Sequence, residues 1–422
     1  MTAPAEAADG TVAVPSRGFR RFWCGQTFSQ FGARVGTLAM PVVAVDTLHA
    51  GSTQVGILGA ASTVSFLLIG LPAGTWVDRW PKRRTMMVAA LLRSLVVLAI
   101  PCLWFAGRLA IWHLYVVAAL VGLATVFFDV AYQSYVPFLV RERDVGRANA
   151  RLEATAQLAA TGGPALSGLL LRVVSVPVLL LADALSYVVS FCCLALVEDS
   201  EVRPPRTAGR RRSLVTEIGE GLRFVRDQPV IRRLVLAMGF SNLFMGMVVT
   251  LMPILVLRTL GLDAFVLGVV MTGGSIGGVL GAGVVPLLRR RLSEGTVIAG
   301  GLLTAALFVA VNPVAGLLPQ HRALATALLT TAEFGMTAAA LAYNVTQVSL
   351  RQRLCPRRLL GRMNASIRFV VWGSIPVSAL LAGWLSSLLG VVPALWIGGV
   401  GSVLTALPAL GIGRLIAVSS AK

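Results

Sequence analysis

Lysine is almost missing from this chain: Lys82 and Lys422 stand against 35 arginines, and acid is scarce enough to leave a net charge of +19. A charge of that size raises nucleic acid as a partner. The stretches between apolar runs are too short to fold into a binding module, so no nucleic-acid partner is expected. Histidine occurs only as His49, His113 and His321, with no H-E-x-x-H pattern and no G-x-x-x-x-G-K-[ST] loop. Those absences exclude a zinc hydrolase and an ATP-driven pump, and no catalytic residue, metal or cofactor is expected. Five scattered cysteines, Cys24, Cys102, Cys192, Cys193 and Cys355, do not make a disulfide framework. Residues 1–16 lack the basic and apolar regions of a cleaved signal and read as a short disordered tail.

What the chain has in abundance is apolar length. Hydrophobic residues make up 56% and charged residues 13% of its 422 positions, and the mean hydropathy is +0.80. Windows of roughly 20 apolar residues, enough to cross about 30 Å of hydrocarbon, recur along nearly the whole sequence. They predict an all-α membrane protein with twelve spans, at 22–48, 53–77, 84–106, 111–138, 150–174, 176–198, 230–258, 264–288, 294–315, 322–350, 362–388 and 391–416. In alternate connections, one side together with both termini holds 30 Lys and Arg, and the other holds only Arg108, Arg172, Arg258 and Arg322. The positive-inside rule then puts both termini in the cytoplasm, in a multi-pass protein of a bacterial inner membrane.

The longest connection divides the chain into a bundle at 17–198, a cytoplasmic linker at 199–229, a second bundle at 230–416 and a tail at 417–422. Within the linker, "LVTEIGEGLRFVRDQ" has the pattern of an amphipathic helix on the inner leaflet. The two bundles repeat one another. A shift of 212 residues aligns Ser29, Met40, Pro41 and Gly56 with Ser241, Met252, Pro253 and Gly268, and brings Gln30 onto Asn242. A shift of 215 aligns Ser134, Gly146, Arg147, Asn149, Ala150 and Gly168 with Ser349, Gly361, Arg362, Asn364, Ala365 and Gly383, and brings Asp129 onto Asn344. Duplication of a six-span unit accounts for this, and two pseudo-symmetric six-helix bundles around a midplane site are a frequent design of secondary transporters.

Between the second and third spans the chain reads "GTWVDRWPKRR". Gly74, Asp78, Arg79, Lys82 and Arg83 resemble the G-x-x-x-D-R-x-G-R-R signature of the major facilitator superfamily, with Pro81 in place of the second glycine. The resemblance runs over essentially the whole chain. It is nearest the drug and siderophore efflux branch, in "FDVAYQSYVPFLV", "ADALSYVVSF" and "YNVTQVSLRQRL". Gly163, Pro164 and Gly168 of "GGPALSG" are similar to the antiporter signature of the fifth span. The resemblance implies a cytoplasmic gate in which Gly74, Asp78, Arg79, Lys82 and Arg83 bear on Gly361, Arg362 and Asn364 at the start of span eleven. A carboxylate can hold such a lock against helix N-terminal amides and guanidinium groups. The positive-inside bias alone accounts for the basic residues but not for Asp78. Gly163, Pro164 and Gly168 serve either as a hinge or as ordinary small-residue packing.

Ionisable groups at membrane depth cost roughly 3 kcal/mol each on insertion scales, so each needs a partner, a wet cavity or a purpose. The resemblance makes spans one, four, seven and ten line the cavity. Glu333 in span ten is the first candidate for proton coupling, Asp129 in span four the second and Arg34 in span one the third. Against coupling, Glu333 could pair permanently with an arginine, and Asp129 with Arg93. Gln30, Arg34, Asn242, Glu333 and Asn344 are the candidate cavity residues, while Asp183 reads as structural and Asp46 as hydrated. The expected function is secondary active export of an amphiphilic small molecule (a drug, siderophore or secondary metabolite) through proton exchange, by a monomer in the lipid bilayer. It makes the chain an antiporter of the multidrug-resistance kind. The alternatives are an importer or facilitator of a small solute and a non-transporting membrane receptor.

Overall fold

A computed structural model describes residues 17–77, 79–141, 144–198, 219, 223–356, 360–407 and 411. Among them the backbone is helical almost throughout and contains no strand. In hydrocarbon a helix is the one open-ended form that pairs every backbone donor and acceptor within its own segment.

Twelve main helices follow in order: α1 (Arg17–Val42), α2 (Ser52–Val77), α3 (Lys82–Phe105), α4 (Ile111–Leu139), α5 (Val145–Leu170), α6 (Val176–Ala195), α7 (Pro229–Ile254), α8 (Ala264–Arg291), α9 (Glu294–Val309), α10 (Arg322–Leu354), α11 (Leu360–Leu389) and α12 (Val391–Ala406). Ten stretches among the described residues are long and apolar enough to cross a membrane. Helix α5 is not one of them because its first half, "VGRANARLEATAQ", is polar, and α12 is apolar but short.

One boundary differs from expectation for a local reason. The ninth span breaks after Val309 and resumes as a single turn, Asn312–Gly316. Pro313 starts that turn, and the buried Asn312 side-chain amide donates to the Val309 carbonyl at 3.0 Å. The twelfth span is described as helix only to Ala406, and its remaining expected residues lie outside the described set apart from Leu407 and Gly411. Of the linker, Gly219 and residues 223–227 are helical, and the remainder lies outside the described residues. Helices α11 and α12 are separated by Gly390, whose φ of 92° is a left-handed turn that a side chain would strain.

The repeat is visible in the backbone. Helix α1 widens into a π turn at Val43–Thr47, and α7 does the same at Leu255–Thr259, 212 residues on. Each turn begins two residues after the repeated proline, Pro41 or Pro253, which cannot donate to the helical ladder and crowds the preceding turn.

Packing differs between the two ends of the molecule. At the arginine-poor end one apolar core joins both halves, with Val35, Leu38 and Leu58 in the same cluster as Met247, Leu251, Leu267 and Leu395. At the arginine-rich end the buried residues fall into two clusters. One contains Phe19, Phe22, Met86, Tyr135 and Leu194 of the first half, and the other Ile231, Leu234, Ile298 and Met363 of the second. The halves are therefore welded at one end and separately packed at the other.

Candidate functional site in the seam between the halves

Two helix pairs carry most of the contact between halves, α2 with α11 and α5 with α8. Both use glycines to bring backbones together. A Cβ on Gly56 would lie 2.5 Å from the Ala379 carbonyl oxygen and 2.9 Å from the Gly383 Cα. One on Gly268 would lie 2.6 Å from the Pro164 carbonyl oxygen and 3.1 Å from the Gly168 Cα. Gly56 and Gly268 are repeat mates, as are Gly168 and Gly383, so the two contacts are one contact made twice. Toward the arginine-rich ends, a Cβ on Gly70 or Gly74 of α2 or on Gly283 of α8 would meet no other described element within 4 Å.

Polar groups tie the closed end. Ser386 Oγ donates to Ser52 Oγ at 2.9 Å between α11 and α2. Arg172, just beyond α5, reaches Asp263 with a 3.7 Å separation and lies over the Phe265 ring at 3.8 Å. Asp46 and Arg258, which occupy matching positions of the two π turns, interact electrostatically across the halves. Asp263 also caps α8, accepting from the Val266 amide at 3.0 Å. The Arg172–Asp263 pair is about half exposed on both sides (53% and 57%) and contributes no more than about 1 kcal/mol, whereas the cap is worth about 1 kcal/mol by itself. Asp263→Ala is therefore expected to lower the thermal midpoint of the purified protein more than Asp263→Asn, which keeps a capping oxygen. Equal loss in both variants would contradict the assignment.

Midway along the seam, Ser275 Oγ of α8 donates to the Ala160 carbonyl of α5 at 2.7 Å. Two candidate charges flank this point. Arg34 of α1 packs its side-chain stem on Gly163, where a Cβ would lie 2.5 Å from the Arg34 Cβ. Glu333 of α10 places Oε2 3.4 Å from where a Cβ on Gly274 would stand. Both side chains are partly buried, and among the described residues neither enters an ion pair or a side-chain hydrogen bond. The seam thus carries an unpaired acid from one half and an unpaired guanidinium from the other at one depth. Gln30 and Asn242 are partly buried at matching positions, while Asn344 is exposed. Asp129 is partly buried and lies in the field of Arg93. Two buried amides that hydropathy reading passes over, Gln26 and Gln347, each leave a polar atom unpartnered. Each sits among other polar residues of its helix, Thr27, Ser29 and Gln30 in one and Asn344, Thr346 and Ser349 in the other, so only packing singles it out.

The Major Facilitator Superfamily model matches residues 22–376 of the chain. The chain belongs to the major facilitator superfamily. It is 29% identical over 356 residues to the multidrug efflux pump Tap of Mycolicibacterium fortuitum, covering 81% of this chain and 83% of that protein. It is 25% identical to macrolide efflux protein A of Streptococcus pyogenes over about half of each chain, 52% and 53%. Among solved structures, it superposes on a bacterial homologue of the iron transporter ferroportin in an inward-facing state with a TM-score of 0.73 at 15% identity, covering 94% of this chain and 98% of the other. The nucleoside transporter NupG superposes with a TM-score of 0.76 at 11% identity; at such identities the fold alone is shared. The protein is thus a multi-pass transporter of the cell membrane whose relatives include bacterial efflux pumps.

The superfamily loop signature is only partly described. Asp78 lies outside the described residues, as do the surroundings of Gly361 and the side chains of Arg362 and Asn364 in the first turns of α11. Gly74 and Arg79 are described, Arg79 as exposed, and Lys82 is buried with its ammonium donating to the Trp80 carbonyl at 3.3 Å. Arg83 points within its own half. Its Nε donates to the Leu194 carbonyl at 2.9 Å and its Nη2 to the Ala195 carbonyl at 2.7 Å, while Arg21 takes the Leu196 carbonyl. Two guanidinium groups thus satisfy the last carbonyls of α6, where the helix dipole favours cations. Arg83→Ala is expected to lower unfolding stability by about 1–3 kcal/mol through loss of charge-assisted bonds, read as a lower thermal midpoint in detergent. An unchanged midpoint would remove Arg83 from this role.

Proposed function

We propose that the protein exports an amphiphilic small molecule, of the class of drugs, siderophores or secondary metabolites, by alternating access in exchange for protons. Glu333 carries the exchanged proton. One observation bears most of the weight: an acid without a cation stands beside the seam along which the halves must move. A carboxyl in such a site is held neutral when sealed and ionises when water reaches it, which is what exchange with the two sides requires. Arg34 on the opposite flank attracts an anionic group of the substrate or the ionised acid itself. Gln30, Asn242 and Asn344 supply hydrogen bonds to the cargo, and Asp129 is a further acid for the proton path.

Residues 17–198 and 230–416 are the two moving bodies, with 199–229 as their cytoplasmic linker. The arginine-rich ends and both termini face the cytoplasm, so the welded end is the external one and the cavity opens inward. Gly74, Asp78, Arg79 and Lys82 with Gly361, Arg362 and Asn364 form the inner gate, and Gly163, Pro164 and Gly168 the surface on which α5 rolls. The efflux names of the relatives support the outward direction.

The test is transport in everted membrane vesicles carrying the protein, with ethidium as first probe and an imposed pH gradient, acid inside. Ethidium is expected to accumulate inside the vesicles and to leave when a protonophore collapses the gradient. If neither ethidium, a macrolide nor a ferric siderophore moves under either gradient direction, proton-driven export is wrong.

A further inference from the structure

A second ionisable group of residues lies away from the seam, inside the first half, where α1, α3, α4 and α6 meet. Arg93 of α3 is 5% exposed. Its guanidinium is held between two rings, 4.1 Å from the Phe128 centroid of α4 and 4.6 Å from the Tyr187 centroid of α6. Asp129 of α4 and Asp183 of α6 both act on it electrostatically. Asp183 is 3% exposed and hydrogen bonded to the Tyr187 hydroxyl. Its other oxygen, Oδ1, and the Nε and Nη2 of Arg93 have no hydrogen-bond partner among the described residues. Among the described residues, the remaining neighbours add no cation. Helix α1 presents Gly32 and Gly36 to Asp183, α3 adds Ser94, which donates to the Ala184 carbonyl, and α4 adds Tyr132, which lies in the field of Glu153 of α5.

The charge count decides what this cluster does. Arginine stays protonated inside proteins. With both aspartates ionised, one negative charge would be buried without a counter-charge, at a cost of several kcal/mol. Protonating one carboxyl removes that cost, because the other then balances Arg93. We infer that the Arg93–Asp129–Asp183 cluster is a proton-binding site of the first half, separate from Glu333, and that Asp183 holds the proton. Asp183 is the sealed acid, whereas the partly buried Asp129 is better solvated and is the ionised partner of Arg93 whenever Asp183 holds the proton. The Tyr187 hydroxyl serves Asp183 in both states, accepting from the acid or donating to the carboxylate.

The proton at Asp183 is linked to movement of α1 by contact. The Asp183 carboxyl packs on Gly32 and Gly36, and Ser186 packs on Gly32 as well, leaving no room for a Cβ at either glycine. Releasing the proton leaves a carboxylate whose Oδ1, packed at that contact, has no protein donor among the described residues and needs water, so deprotonation and separation of α1 from α6 occur together. Helix α1 also carries Arg34 to the seam, so this step reaches the central cavity from the side opposite Glu333.

Infrared spectroscopy of the purified full-length protein in nanodiscs reads protonated carboxyls directly. At neutral pH, Asp183→Asn is expected to remove one protonated-carboxyl band. Asp129→Asn should remove the same band, since Asp183 then ionises against Arg93 alone. Arg93→Gln should add one. Asp129→Glu should leave the band where it is; a shifted band would put the proton on Asp129 and overturn its assignment to Asp183. Glu333→Gln should remove a different band and spare this one, so the seam acid and the cluster are judged separately. If Asp183→Asn and Asp129→Asn both retain every wild-type band, the cluster holds no proton and the inference fails.

Discussion

Glu333→Gln is expected to abolish gradient-driven efflux while leaving the transporter able to bind and exchange its cargo. Glutamine keeps the length and hydrogen-bonding shape of the acid but fixes the neutral form. No cation among the described residues compensates Glu333, so the substitution breaks no ion pair there and should leave folding and membrane abundance intact. A pH difference of one unit is worth about 1.4 kcal/mol per proton. With one proton exchanged per uncharged molecule, it sustains about tenfold accumulation in everted vesicles. Wild-type protein should approach that ratio, and Glu333→Gln should give a ratio of about one, with substrate exchange between loaded vesicles and medium preserved. Undiminished accumulation in the variant would move the coupled proton elsewhere, and loss of exchange together with accumulation would mean that Glu333 binds cargo rather than protons.

The seam glycines give the second large effect. Valine at Gly56 or Gly268 drives a branched side chain into the backbone of the opposite half, where a Cβ alone would approach to 2.5 and 2.6 Å. Neither neighbour is a side chain that can rotate away. Overpacking of this kind costs about 1–3 kcal/mol per site, and the two sites lie on different helix pairs, so their effects should add. The Gly56→Val/Gly268→Val pair therefore disfavours the closed arginine-poor end by about 2–6 kcal/mol. Moving a two-state equilibrium from 1:99 to 99:1 takes about 5.5 kcal/mol, so the double variant can approach a full inversion. Spin labels at the arginine-poor ends of α2 and α11, on a background lacking the five native cysteines, should report a longer distance. Gly283→Val, with open space around it, should change nothing. An unaltered distance distribution in the double variant would show that the seam yields without opening.

Much of the architecture could be read from the amino-acid pattern. The twelve apolar runs correspond to α1 through α12, and the 212-residue offset that aligns Met40–Pro41 with Met252–Pro253 also relates the two π turns. Length alone failed at the ninth span, where Asn312–Pro313 restarts the helix. The site was less legible. Glu333, Asp129 and Arg34 stood out because ionisable residues are rare at membrane depth. That Arg34 and Glu333 flank one seam was invisible, since they lie on helices far apart in the sequence. That Asp183 and Asp129 both act on Arg93 was likewise hidden, because a single helix cannot show how many carboxyls share one arginine.

The sequence by itself determined that the chain crosses the membrane as helices, that it is a doubled unit, and which few positions hold charge in an apolar setting. These follow from the cost of leaving backbone or charge unsatisfied in hydrocarbon, a cost incurred residue by residue. Only the tertiary structure decided which faces meet: Gly56 on Gly383, Gly168 on Gly268, Arg93 between Phe128 and Tyr187, and one end of the halves welded while the other stays apart. Between apolar helices the hydrophobic effect has no preference among partners. The pairing is set by where small residues let backbones close, and that depends on helix rotations that the order of residues does not display.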